Sequence, residues 1–496
     1  MRSKQRFLLA LLAGFLLALA LGIRPAVHLW QAHRRDVPAP RPLPPGLADD
    51  GSHLNATPVA QQLSVAADTA AALVQLRHLL ALARVRHLPV ALVGAQHSQG
   101  GHTLARGGIR LNMLPFNCMR LDTVSQVLTV GSGGRWAEVI PYLNRYGRAV
   151  GTMQSDNVFS VGGSLSVNCH GWQPNQPPIA ATVVSLRLLL ADGRLLTCSR
   201  TQNQELFSLA LGGYGLLGII LDARLRTVPN AVYAYRRVAS PATDYVATYA
   251  HHVDKNPRAR LAYGRLNVTA ENFLNEAQLN YFDEVRAAGP GYSMAAPGLY
   301  EVKRAVFVGS KRDAYGKRLR WQAEQAFSRS QVGAEYSRNQ IMNESPALYL
   351  NRSAGQTDVL HEYFIPRRRF NQFRRALQQL VPAHQADLLN VTLRNVYADH
   401  DTFLPYAREE MFGFVLFFNQ ATTPAAEADM ATLTQTLIEA ARQCGGTYYL
   451  PYRPHATPAQ LRQVYPQWPA FVARKRAYDP DGVFQNEFWR RYGPAF

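Results

Sequence analysis

Residues 90–104, VALVGAQHSQGGHTL, run from a short apolar stretch into a loop that carries His97 and His102 among Gly94, Gly100 and Gly101. Glycines directly after a buried strand leave successive backbone N–H groups uncovered, which makes a nest for phosphate oxygens. The spacing is neither the dinucleotide fingerprint G-x-G-x-x-G nor a P-loop, because no Gly-Lys-Ser/Thr follows. A plain connection between elements is the alternative. A second loop, SVGGSLSVNCHG at 160–171, brings another close backbone approach and a third ring, His170. A third, GGYGLLG, occupies 212–218. Three glycine loops without metal-ligand pairing point to a long cofactor bearing a diphosphate. His97, His102 and His170 lack acidic partners and HxH or HExxH spacing, so no metal is expected.

The surrounding pattern shows what must hold these loops. Residues 65–88 carry leucine and alanine at three-to-four spacing, an amphipathic helix with Asp68 or Thr69 near its start and Pro89 beyond its end. VALVG is then a buried strand. Asp192-Gly193 lies between two apolar runs and marks a hairpin. From about 230 the texture shifts to apolar alternation in RAVFVG, DVLHEYFIP and MFGFVLFF, with helices expected around 368–380 and 425–443. The fold class is α+β. A second, antiparallel-sheet domain with helices on one side follows the glycine-loop domain.

The 496 residues suffice for two or three domains. A formal charge of +19 invites an acidic partner. No nucleic-acid-binding signature accompanies it, so nucleic acid is not expected and attraction to anionic lipid suits the charge better. Cys118, Cys169, Cys198 and Cys444 show no CxxC spacing, which disfavours a disulfide framework or a thiolate zinc site. Phe7 to Ile23 is an uncharged apolar run. It is read as an uncleaved single-pass anchor with the body outside the cytoplasm, a cleaved signal peptide being the alternative. VPAPRPLPPG at 37–46 is then a stiff spacer.

The helix before VALVG, GAQHSQGG, SVGGSLSVNCHG, LLLADGRLL and ELFSLALGGYGLLGII occur in an order that resembles the FAD-binding (PCMH-type) domain of the vanillyl-alcohol oxidase family. The tail YDPDGVFQNEFW resembles that family's C-terminal return to the flavin domain, and the middle more loosely resembles sugar-alcohol and aldonolactone oxidases. The apolar run and proline content set an anchor or signal at 1–25 and a proline-rich linker at 26–55, and the resemblance implies an FAD domain at 56–228. A substrate (cap) domain at 229–450 and a returning segment at 451–496 complete the chain. It implies FAD contacts from Gly94, Ala95, Gln96, His97, Ser98, Gln99, Gly100 and Gly101 in the first loop. Further contacts fall to Ser155, Gly162, Gly163, Ser166, His170 and Gly171, and to Gly218, Ile220 and Asn486. His97 matches the residue through which many members attach flavin covalently, and a neutral imidazole is a fair nucleophile near pH 7. Hydrogen bonding to a phosphate is the other role open to it, and His102 is expected to steady the loop. Gly151-Thr152-Met153 stands where some members carry a second, cysteinyl attachment, so a second bond is not expected. Gly162 falls near a position that leaves oxygen a path to the flavin in relatives, which leans towards an oxidase.

Oxidising an alcohol needs a base for the hydroxyl proton while hydride leaves for the flavin. Glu362 in LHEYFIP resembles the glutamate facing flavin in sugar-alcohol oxidases. Arg394 in LNVTLRNVYAD shares a strand face with Thr392 and Asn390, and His170 would lie beside the flavin. A solvated sheet face is the alternative for these strand residues. His361 and Glu362 point to opposite faces, so only Glu362 is expected to reach the site. GGTYYLPY replaces the family's His-Trp-Gly/Ala-Lys segment, and no lysine matches the one that assists catalysis in relatives. The expected activity is oxidation of a CH–OH group on a polyol, sugar or lactone-like substrate, with reoxidation by oxygen. Transfer to a quinone or cytochrome at a membrane, on a lipid-linked sugar, is the runner-up, and a non-catalytic flavin-fold binding module the reading of another class.

Overall fold

In a computed structural model the described residues are 22–39, 41–294 and 298–494. The helix Thr69–Val85 forms where leucine periodicity demands it. Asp68 accepts from Ala71 N at 2.9 Å to cap it, and Ala72, Leu76, Leu79, Leu80 and Ala83 turn inward. It leads to a three-stranded parallel sheet in the order Gln61–Ser64, Ile109–Asn112, Val90–Val93. The first glycine loop therefore leaves the carboxyl end of a parallel strand, where open α/β sheets place their ligands.

A six-stranded antiparallel sheet follows. Its central strand, Ile219–Pro229, is flanked by Val183–Leu189 and Val127–Gly131, and Arg148–Val150 pairs with its far end. The Asp192-Gly193 turn, with Gly193 at φ +87°, returns the chain so that Leu195 opposes Leu189.

The largest sheet has eight antiparallel strands. Four of them run Ala259–Leu266, Asp387–Val396, Met411–Ala421, Gln356–Pro366 in space. One face, including Tyr363, Val391, Leu393, Phe414 and Leu416, is sealed by Phe373 and Leu377 of the helix Phe370–Leu380 and by Leu433 and Leu437 of Pro424–Gln443. The opposite face is mixed, with Glu362, Thr392 and Arg394 among Leu360, Phe364, Val415 and Phe417. At the end of the chain Val483–Gln485 adds to the parallel sheet: Val90 N donates to Val483 O at 2.7 Å and Gln485 N to Val90 O at 3.2 Å.

Three expectations need correction. RAVFVG is not a strand; it belongs to the helix Tyr300–Gly309. The linker expected at 26–55 is not free at its start, because residues 22–35 are ordered as one element. They form a helix docked on Tyr300–Gly309 and Ala314–Ser330, with Ala32 fully buried and His28 Nε2 bonded to Gly309 O at 3.0 Å. The crossing is close because a Cβ on Gly309 or Gly316 would lie 2.9 Å from His28 Nε2. Asp36 then pairs with the buried Arg304, which also donates to the carbonyls of Ala347, Leu348 and Leu350, each at 3.0 Å. Proline content hid this, because the pattern says nothing of a buried partner so far along the chain. The third correction concerns the membrane. No helix among the described residues is long and apolar enough to cross one, which overturns the single-pass anchor. Most of the run 7–23 lies outside the described residues.

Candidate active site

The three glycine loops converge. Gly94 must be glycine because a Cβ there would lie 2.1 Å from Ser160 Oγ, the cap of the short helix Val161–Ser166. Gly212 N and Tyr214 N donate to the carbonyls of Leu165 and Ser166 at 3.0 and 2.8 Å, which hangs the third loop on the second. His102 stacks on Phe488 at 4.8 Å and lies 5.5 Å from Tyr214. It is a buried packing ring, in the steadying role expected of it.

Along the first loop Gln99 N bonds to Pro451 O and Gly101 N to the Asp50 carboxylate. The N–H groups of Ala95, Gln96, His97 and Ser98 have no acceptor among the described residues. Gln96 sits at φ +61°, the left-handed turn that lets successive N–H groups converge. The His97 ring lies against Phe159, centroids 4.4 Å apart, and burial lowers its pKa, which keeps the imidazole neutral at pH 7.

His170 and Glu362 meet across the two large units. His170 Nε2 is 2.6 Å from Glu362 Oε1, and Tyr452 OH donates to Oε2 at 3.2 Å. Burial holds the Tyr452 phenol well above its ordinary range, so it remains a donor. Arg394 lies with its guanidinium 5.1 Å from the Trp172 ring centroid and donates to Ser155 Oγ; its Nη1 is buried without a partner among the described residues. His361 points to the opposite face, with Tyr363 OH and Thr434 Oγ1 near its two nitrogens.

Several expected contacts are committed elsewhere. Asn486 caps the helix Glu487–Tyr492 and donates to Tyr214 O. Gln99 bonds Asp358 O and Leu360 N, and Gln96 accepts from Arg110. Ile220 is buried in the core, and a Cβ on Gly218 would crowd Leu189 O. A Cβ on Gly171 would meet Gln173 Oε1 at 2.0 Å, and one on Gly162 would meet Ser132 Cβ at 2.6 Å. The smallness of Gly162 thus has a packing cause, and the lean towards an oxidase drawn from it falls away. Gly163 and Ser166 remain open or half-buried on the loop.

Two residues escaped the sequence reading. Tyr452 lies in GGTYYLPY, where the pattern alone gives it no distinct role. Gly413 was missed, though a glycine inside MFGFVLFF signals a close approach: a Cβ there would lie 3.2 Å from Glu362 Oε1.

A separate cleft of about 490 Å³, lined by Arg200, Phe207, Asp401 and Gln467 among others, shares no residue with the His170–Glu362 pair, and its Arg200 is already bonded to Asp401. It does not compete for the role.

Residues 66–199 match the family model described as an FAD binding domain. They form an FAD-binding domain. The chain is similar to cytokinin dehydrogenase 9 of Oryza sativa subsp. japonica, 25% identical over 426 residues, 82% of this chain and 81% of the relative. L-gulonolactone oxidase of Mus musculus is 22% identical over 418 residues, 84% of this chain and 92% of the relative. D-arabinono-1,4-lactone oxidase of Yarrowia lipolytica is 40% identical over 102 residues, 21% of this chain and 19% of the relative. The protein is an FAD-dependent oxidoreductase.

The residues present fit FAD. The four uncovered N–H groups make a cradle for its diphosphate, and the buried hydroxyls of Ser98, Ser132 and Thr152 have no partner among the described residues. Such orphans cost about 1–3 kcal/mol each unless a ligand satisfies them.

The flavoprotein's acid stability follows from its buried rings. Burial pushes His102 and His361 to about 3 from an ordinary 6.5. Below pH 6.5 the unfolded chain binds protons that the native chain refuses, so stability falls as pH drops, by ~1.4 kcal/mol per pH unit for each ring. Urea midpoints measured from neutrality to about pH 5 check this; a flat profile would mean that neither ring is held neutral.

Proposed function

We propose that the protein oxidises a CH–OH carbon of an aldonolactone, sugar or polyol, with oxygen as the final electron acceptor. FAD, when bound, takes the hydride from that carbon. Glu362 accepts the hydroxyl proton, and the His170 ring and the Tyr452 hydroxyl hold the carboxylate in place. The unpartnered Arg394 Nη1 donates to the substrate oxygen as negative charge grows on it. His97 carries the flavin covalently, and the first glycine loop holds its diphosphate.

The Glu362–His170 pair supports this reading most strongly. It sets a buried carboxylate from the cap sheet beside the second glycine loop, with Arg394 Nη1 nearby and unpartnered among the described residues. The lactone oxidases among the relatives support the substrate class and the acceptor. A second reading, a dehydrogenase passing electrons to an organic acceptor, draws on the rice cytokinin dehydrogenase, whose similarity covers 82% of this chain.

Steady-state turnover of the flavin-loaded protein on aldono-1,4-lactones, alditols and aldoses, with oxygen and then with a quinone or dye, tests the proposal. Turnover of a lactone or sugar with hydrogen peroxide formed is expected. Turnover only with the artificial acceptor transfers support to the dehydrogenase, and reaction of none of the three substrate classes removes the proposal.

A further inference from the structure

The strand Gln356–Pro366, which carries Glu362, is supported differently on its two edges. Met411–Ala421 runs along the whole of one edge. On the other, Thr447–Tyr448 covers only Tyr363 and Phe364, and Tyr449 N donates to Glu362 O at 2.9 Å. Upstream of that point a side chain stands in for a strand. Gln99 Nε2 donates to Asp358 O at 3.2 Å, and its Oε1 accepts from Leu360 N at 2.8 Å. Alternate residues of a strand turn their backbone groups to the same edge, so the Gln99 amide extends the ladder that Tyr449 begins at Glu362.

The main chain of Gln99 is held just as closely. Its N–H donates to Pro451 O at 3.2 Å, and its carbonyl accepts from Arg453 Nη1 at 3.0 Å and from Asn55 Nδ2 at 3.1 Å. These contacts fall on both sides of Tyr452, whose hydroxyl donates to Glu362 Oε2. There is no slack beside them, because a Cβ on Gly100 would lie 2.3 Å from Tyr452 O. The buried Gln99 thus has its backbone and side-chain polar groups all bonded to the two segments that support Glu362. Immediately before it, residues 95–98 present the N–H groups that fit the flavin diphosphate.

We propose that Gln99 is a positioning residue for the oxidation: its side chain serves the protein rather than the flavin, fixing Glu362 and Tyr452 in register with the loop that holds the cofactor. The inference rests on the role proposed above for Glu362 and adds what sets that carboxylate against the flavin. Reacting groups tolerate little error in placement, and a shift of about 1 Å costs about 10²-fold in rate. Methionine at 99 keeps the length and bulk of the side chain, removes both of its bonds to the strand, and leaves the main-chain bonds in place.

Two readouts test this. The first is hydrogen–deuterium exchange in the flavin-loaded protein and in its flavin-free form, produced under riboflavin limitation. In the parent, flavin is expected to slow exchange in both 94–101 and 356–364, by about tenfold or more. In Gln99→Met the slowing should remain in the loop and disappear from the strand. The second is the rate of anaerobic flavin reduction by a lactone, an alditol or an aldose. Gln99→Met should lower that rate by about 10- to 100-fold with substrate affinity within about threefold. Gln99→Glu still accepts from Leu360 N but cannot donate to Asp358 O; it should show the same losses in milder form, and it carries both readouts if Gln99→Met does not fold. Asn419→Ala is the control. It removes a 2.7 Å bond to Asp358 Oδ1 from the opposite edge without touching the loop, so it should lower the urea midpoint and leave both readouts at parent values. Strand protection that is absent from the parent or survives loss of the Gln99 bonds overturns the proposal. So do rate losses that follow the urea midpoint equally in Asn419→Ala. Both results leave the role of Glu362 to its own glutamine variant. Strand protection lost in Gln99→Met, in a protein whose flavin none of the three substrate classes reduces, supports the tie and instead removes the reaction proposed at Glu362.

Discussion

Glu362→Gln is expected to lower kcat/KM by about 10²–10⁴-fold, the range that a general base contributes. The amide keeps the carboxylate's shape and still accepts from Tyr452 OH, but it cannot take a proton from substrate. It also turns the 2.6 Å contact with His170 from a charge-assisted bond into a neutral one, so some loosening of His170 adds to the effect. Substrate affinity should change far less, which places the loss in kcat. Unchanged flavin absorbance and urea midpoint show that the variant is folded and loaded. If such a protein turns over within about threefold of the parent, the base lies elsewhere and the pair is structural.

His97→Ala is expected to abolish covalent attachment altogether. In the parent, acid precipitation should leave yellow colour and flavin fluorescence in the pellet; in the variant the flavin should pass to the supernatant. The ring is suited to the bond because it is neutral, lies against Phe159, and makes no hydrogen bond from its ring nitrogens among the described residues. Residual turnover with added FAD is expected, since the diphosphate cradle is backbone and survives the substitution. Free FAD in the parent's supernatant would reduce His97 to a neighbour of the phosphates.

Much of this architecture is written in local pattern. A helix that stops short of Pro89, a strand into glycines, and an Asp-Gly turn each depend on a few adjacent residues, and all three are present, the helix at Thr69–Val85 within the expected 65–88. Alternation also separates His361 from Glu362, one to the core and one to the opposite face. What pattern misses is long-range partnership. RAVFVG alternates like a strand but is helical because Arg304 and Gly309 meet Asp36 and His28, hundreds of residues away. Gly413, Tyr452 and the committed side chain of Asn486 are likewise intelligible only with the opposing residue in view.

Val483–Gln485 completes the edge of the strand that launches the first glycine loop. The sheet beside the cradle therefore joins residues far apart in the chain. Residues 483–485 are synthesised long after Val90, so the sheet edge beside the cradle is completed only once they have emerged. Closing so long a loop makes completion of that edge a late folding step. A chain cut short near residue 480 keeps every strand of both large sheets but leaves the edge of Val90–Val93 without its partner at 483–485.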